Sequence, residues 1–141
     1  MDFSEKYRFE DRRSESSRIL SKYPDRVPVI CQRSRDASKI CPIIDKQKYL
    51  IPTDLTLGQF IWVIRKRLSI PHETALFMFT NGIILPVSKL IKKVYDEYKN
   101  VDGFLYMYYN LENTFGNECE LTEVSSDTGI IQYRYNIICL I

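Results

Sequence analysis

The sequence is poor in the residues that bind metals or move protons near neutral pH. It has one histidine, His72, and four cysteines, Cys31, Cys41, Cys119 and Cys139, with no two of them in C-x-x-C spacing. Zinc sites need such ligands clustered, so no metal is expected. No glycine-rich phosphate loop and no nucleophile beside a base is present, and His72-Glu73, which follows Pro71, reads as a surface pair in a loop. Neither catalysis nor a cofactor is therefore expected. Long apolar runs are missing too: Ile137–Ile141 is far short of the ~20 residues of a membrane span. The first six residues are charged and lack an apolar signal core. Asp2 stands where myristoylation needs glycine, and Cys139 is one place too close to the end for prenylation. These features predict a cytosolic chain with reduced thiols and no disulfide framework.

What is present suits one globular domain: 141 residues, 45% apolar and 27% charged. The net charge is +2, unevenly spread. Residues 117–141 hold Glu118, Glu120, Glu123 and Asp127 against Arg134, a net of −3, which leaves +5 on residues 1–116. That excess favours acidic partners or an anionic lipid surface. No nucleic-acid partner is expected, because aromatic and basic residues interleave only at Tyr7-Arg8-Phe9.

The periodicity predicts one or two short helices over residues 3–22, ended by Pro24. Val27–Cys31 reads as a strand, and Pro28 places it at an edge or in an imperfect pairing. Residues 32–47 are polar turn material holding a loop thiol, Cys41, and Lys48–Pro52 is a second strand. Thr56-x-x-Gln59 is a capping box that opens a strong helix through Phe60, Val63, Ile64 and Leu68. Arg65-Lys66-Arg67 complements its C-terminal dipole. Ala75–Thr80 and Ile83–Leu85 form a hairpin about Asn81-Gly82. A second helix follows through Leu90, Ile91, Val94, Tyr95 and Tyr98 with Ser88 as cap, then a turn at Asp102-Gly103 and a last strand over 104–109. Hairpin, helix, hairpin, helix, strand is the order of the β-grasp, an α+β fold, here with two added N-terminal helices. The expected core is Phe60, Ile64, Phe77, Phe79 and Tyr106 under one main helix, the other face and the edges being free for partners. Trp62 is expected to be partly covered by the N-terminal helices.

Five blocks carry a family resemblance: Lys22–Ile30, Asp45–Thr56, Gly58–Phe60, Ile64–Arg67 and Asp102–Tyr106. Over residues 3–116 the chain resembles the autophagy ubiquitin-like modifiers, the family of GABARAP and the microtubule-associated protein light chain. Tyr7-Arg8 departs from that family's usual histidine-proline pair, and residues 84–94 depart from its small-residue and methionine pattern. The resemblance implies an N-terminal helical extension (1–26), a ubiquitin-like domain (27–116) and a C-terminal propeptide (117–141). It implies that a cysteine protease cuts after Gly116, with Phe115 helping to place the scissile bond. Activating and conjugating enzymes then join Gly116 to phosphatidylethanolamine on autophagosomal membranes, where cargo receptors are recruited through short linear motifs. A glycine suits this role, because without a Cβ its carboxyl group is sterically open.

By the same resemblance a first motif pocket carries over onto Glu15, Ile19, Pro28, Ile30, Lys48, Leu50 and Phe104. A second carries over onto Tyr49, Ile51, Pro52, Leu55, Phe60 and Val63. Lys48–Pro52 at a sheet edge would accept an extended peptide as an added strand, with Arg26, Lys46 and Arg67 drawing acidic flanking residues. The alternative is an unconjugated adaptor that keeps its tail and binds motif peptides or cytoskeletal partners. In the tail, Ile131, Tyr133, Tyr135 and Ile137 alternate with polar residues, a strand period; removal on maturation is the reading favoured over docking of an extra strand on the sheet.

Overall fold

The structure, a computed structural model, describes residues 2–71, 73–111 and 134–140. Two helices come first, α1 (Phe3–Lys6) and α2 (Phe9–Lys22), followed by β1 (Arg26–Arg33) and β2 (Lys48–Pro52). Then come α3 (Leu57–Leu68), the hairpin β3 (Leu76–Thr80) and β4 (Ile83–Ile84), α4 (Ile91–Tyr98) and β5 (Leu105–Leu111). A 3-10 turn at Arg134–Asn136 leads into a last strand, β6 (Ile138–Leu140). The sheet order is β4-β3-β5-β1-β2-β6, with β1 and β5 parallel and every other pairing antiparallel. This is the β-grasp order with one strand added beside β2.

Local chemistry explains the elements that were legible. The Thr56 hydroxyl accepts the Gln59 backbone N–H at 3.3 Å while the Gln59 side-chain Oε1 accepts the Thr56 N–H at 2.8 Å, so the two ends of the capping box satisfy each other. Asn81 and Gly82 take φ of 50° and 74°, the left-handed pair a tight hairpin needs. Ser88 is not the cap of α4. That place is held by Leu90, and the first helical amide, Ile91 N–H, donates to the Leu55 carbonyl at 2.8 Å instead.

Period-two alternation along β1, β2 and β5 divides the core. Val27, Val29, Cys31, Tyr49, Ile51, Leu105, Met107 and Tyr109 face α3 and α4, and pack on Phe60, Val63, Ile64, Ile91 and Val94. Ile30, Leu50, Phe104 and Tyr106 face the other way, onto Phe3 of α1 and Ile19 of α2. The second face is thus covered, not free as expected. Phe77 and Phe79 are only half-buried, and Met78 and Thr80 take the inward positions of β3. Phe79 pairs with Tyr108, on the side of the sheet where α1 and α2 cover β1 and β5.

β1 lies inside the sheet, and of the two alternatives for Pro28 the imperfect pairing holds. Cys31 N–H donates toward β2, to Gln47, so the nitrogen of Pro28 faces β5, where pairing begins only at Val29↔Leu105. Cys41 is buried, because residues 41–44 fold back onto Tyr109. The Tyr109 hydroxyl donates to the Pro42 carbonyl at 2.6 Å and accepts the Ile44 N–H at 2.8 Å. Trp62 is covered by the ring of Tyr135, edge-on at 5.8 Å, rather than by the N-terminal helices.

The second helix, α2, is pinned by a buried polar cluster. Asp102 is fully buried and accepts from Arg12 of α2 at 2.5 Å and from the Tyr106 hydroxyl. Ser16 of α2 donates its hydroxyl to the Asp102 carbonyl at 2.5 Å. A buried carboxylate needs such partners. Burial pushes the Tyr106 phenol well above its ordinary range, and the bond to Asp102 adds to that. For Arg12 the pull of burial is outweighed by its bonds to Tyr106 and Asp102, and its pKa rises.

Candidate functional site

The two sets of motif-pocket residues lie on opposite faces of the β1–β2 hairpin. Lys48 and Leu50 point with Pro28, Ile30, Phe104 and Ile19 toward the α1–α2 side. Lys48 reaches Glu15 of α2 in an ion pair, with its ammonium 5.5 Å from the ring centre of Phe3. Tyr49 and Ile51 point the other way, toward Phe60 and Val63 of α3, with Tyr49 and Phe60 edge-to-face at 5.5 Å. Leu55 packs at the margin of that cluster, and Pro52, half-buried, closes the strand. Every residue assigned to either pocket is described; Pro52 alone falls on the alternation of Lys48 and Leu50 and not on that of the rest of its set.

The edge itself is not open. β6 pairs antiparallel with β2 in the register Lys48↔Leu140, Tyr49↔Cys139 and Leu50↔Ile138. Ile138 and Leu140 pack on the Ile30–Leu50–Phe104 cluster, while Ile137 and Cys139 are buried in the Tyr49–Phe60–Val63 cluster. The disfavoured reading of the tail, a strand docked on the sheet, is the one seen, although not over the residues 131–137 that carry the strand period. Residues 131–133 lie outside the described residues, Tyr135 and Asn136 take positive φ of 72° and 61° that break an extended run, and the strand starts at Ile138. Burial raises the pKa of the Cys139 thiol.

Two of the three cations assigned to acidic flanks, Arg26 and Arg67, have side-chain partners within the chain. Arg26 is 8% exposed and donates to the carbonyls of Leu50 at 3.2 Å and Asn136 at 2.6 Å. Arg67 holds both oxygens of Asp45, at 2.8 and 2.9 Å. Lys46, half-buried, offers its carbonyl to the Tyr49 hydroxyl. Of the neighbouring helix-end cations, Arg65 donates to the Thr74 and Pro71 carbonyls and Lys66 lies over the Trp62 ring, so this basic run holds structure together. The cleavage and attachment residues Phe115 and Gly116, and also His72 and Cys119, lie outside the described residues.

A β-grasp sheet carrying one long helix on one face, two N-terminal helices on the other, and an edge strand added between two apolar clusters defines a ubiquitin-like protein. Comparison with known proteins gives the family. The model of the family described as "Autophagy protein Atg8 ubiquitin like" matches residues 11–116, and the chain belongs to that family. It is 50% identical over 114 residues to Autophagy-related protein 8 of Pichia angusta, covering 81% of this chain and 90% of that one. To the Candida albicans protein of the same name it is 47% identical over 125 residues, 89% of this chain and 91% of that one. Among solved structures, Trypanosoma brucei ATG8 superposes with a TM-score of 0.76 at 40% identity, covering 82% of this chain and 98% of that chain. Plasmodium falciparum Atg8, solved in complex with a Plasmodium falciparum Atg3 peptide, gives 0.71 at 31% identity, covering 78% and 95%. The protein is an autophagy ubiquitin-like modifier, not an enzyme. Among the described residues no helix is long and apolar enough to cross a membrane.

Proposed function

We propose that the chain is the precursor of a lipid-conjugated modifier: cut after Gly116 by a cysteine protease, carried by activating and conjugating enzymes, and joined through Gly116 to the amine of phosphatidylethanolamine. On autophagosomal membranes it recruits cargo receptors through the β2 edge and its two pockets. The observation that carries this reading is β2 itself, a strand whose outer edge takes a further strand and whose two faces each offer an apolar cluster to that strand's alternate side chains. Gly116 follows the end of β5 by five residues, close enough to the folded domain for one enzyme to hold both. The Plasmodium falciparum relative, bound to an Atg3 peptide, supports a conjugating enzyme as partner. Gly116→Ala tests the proposal: the phospholipid-bearing product should vanish from cells with active autophagy while the purified variant keeps its native circular dichroism. Normal amounts of lipidated Gly116→Ala protein would refute it.

A second reading, an adaptor that keeps its tail, is favoured by one observation, the burial of Ile137 and Cys139 against the domain. On that reading the protein in cells still ends at Ile141 and carries no lipid.

A further inference from the structure

We propose that residues 134–140 are an internal competitor for the peptide-docking edge: the uncut chain keeps this edge closed, and cutting after Gly116 opens it. The inference rests on the reading of β2 as the motif-docking edge.

The fit of the segment is specific on three counts. Its strand takes the ladder positions of Lys48, Tyr49 and Leu50, three residues of the two pockets, so an incoming strand and β6 cannot be present together. Its side chains alternate as a ligand's would: Ile138 and Leu140 enter one cluster, and Ile137, with no exposed surface, and Cys139 enter the other. Its approach is held by contacts that lie outside the ladder. Arg26 donates to the Asn136 carbonyl, the Tyr135 ring stands edge-on against Trp62, and two residues other than glycine adopt left-handed backbone to make the turn into the strand. Three paired residues make a short strand, so the tether matters. Residues 112–133 join it covalently to β5, and such covalent joining holds a segment at an effective concentration on the order of 1 mM. A segment binding in trans at about 0.1 mM would then leave roughly one chain in ten open, weakening any outside peptide about tenfold. Hydrolysis of the Gly116–Asn117 amide consumes one water, leaves a carboxylate on Gly116 and an amine on Asn117, and ends the tethering. The step that frees Gly116 for conjugation would thus also free the groove, so that the precursor does not hold receptors away from membranes.

The test uses the full chain. A fluorescein-labelled acidic peptide carrying one aromatic and one aliphatic anchor is titrated with native protein and with Ile137→Asp, and anisotropy is read. Binding about tenfold tighter to the variant is expected; Leu140→Asp, at the outer end of β6, serves where Ile137→Asp does not fold. Cys139 gives a second readout with no substitution. Mapped by mass spectrometry, its alkylation by a maleimide should be slow in the native chain and should speed up when saturating peptide displaces β6. Equal affinity of native and variant chains, or a Cys139 rate unmoved by bound peptide, overturns the inference and leaves the docking edge standing. Folded chains that both ignore the peptide overturn the docking-edge reading and the inference with it.

Discussion

Gly103→Ala should be among the most damaging single-methyl additions in this protein. Gly103 sits at φ +92°, and a Cβ built there would lie 2.3 Å from the Ser16 hydroxyl oxygen and 2.9 Å from the Ser16 Cβ. Ordinary contact starts near 3.4 Å, so α2 would have to retreat by about 1 Å at Ser16. Three costs combine. Positive φ costs a residue with a side chain about 1–2 kcal/mol. Overpacking a filled site costs about 1–3 kcal/mol. A stretched Ser16–Asp102 hydrogen bond loses about 1 kcal/mol. The sum is about 4 kcal/mol, a large part of the stability of a domain this size. Gly82→Ala is the matched control: its φ is +74° but nothing lies within 4 Å, so only the backbone cost of about 1–2 kcal/mol remains. Urea unfolding of both variants reads the difference. Because Glu15 and Ile19 sit on α2, the same shift should weaken peptide docking at the first pocket. Ser16→Gly in the Gly103→Ala background should restore part of the loss by removing both clashing atoms. If the two glycine variants unfold at the same urea concentration, the argument for a steric lock between α2 and the 102–103 turn fails.

Two further effects follow from buried groups and caps. Burial raises the phenol pKa of Tyr106 and Tyr109, and the folded value above the unfolded one means their contribution is complete below the unfolded pKa of about 10 and is lost as pH climbs beyond it. Ultraviolet titration should therefore show a fraction of the phenols ionising only together with alkaline unfolding; all ten ionising smoothly around pH 10 in a still-folded chain would contradict this. Thr56→Ala removes the acceptor for the Gln59 N–H and should cost about 1 kcal/mol in thermal or urea unfolding, with no loss being the contrary result.

How much was legible in the sequence depended on how local the signal was. The capping box at Thr56 and the Asn81-Gly82 turn are read within four residues, and both stand in the structure. The phase of β3 was not legible, because Leu76-Phe-Met-Phe is apolar at every position and alternation carries no information there; the neighbour strand β5 and the reach of α1 and α2 decide that Met78 goes inward. Pro28 pointed to an edge or an imperfect pairing, and the second holds: its missing donor is harmless because the parallel ladder starts one residue later. The two pocket sets were assigned through the family resemblance, and the pairing of β6 beside them was not legible: Lys48 and Leu140 are 92 positions apart in sequence, and the approach runs through two left-handed residues that no glycine announces. The same contact reassigns Arg26, expected to meet acidic ligands, to the tail's backbone.

Intact-mass spectrometry of the protein recovered from membranes of cells with active autophagy bears most directly on the account. A chain ending at Gly116 and heavier by one phosphatidylethanolamine is the predicted species. A membrane fraction containing only chains that still end at Ile141, with no phospholipid attached, would contradict it.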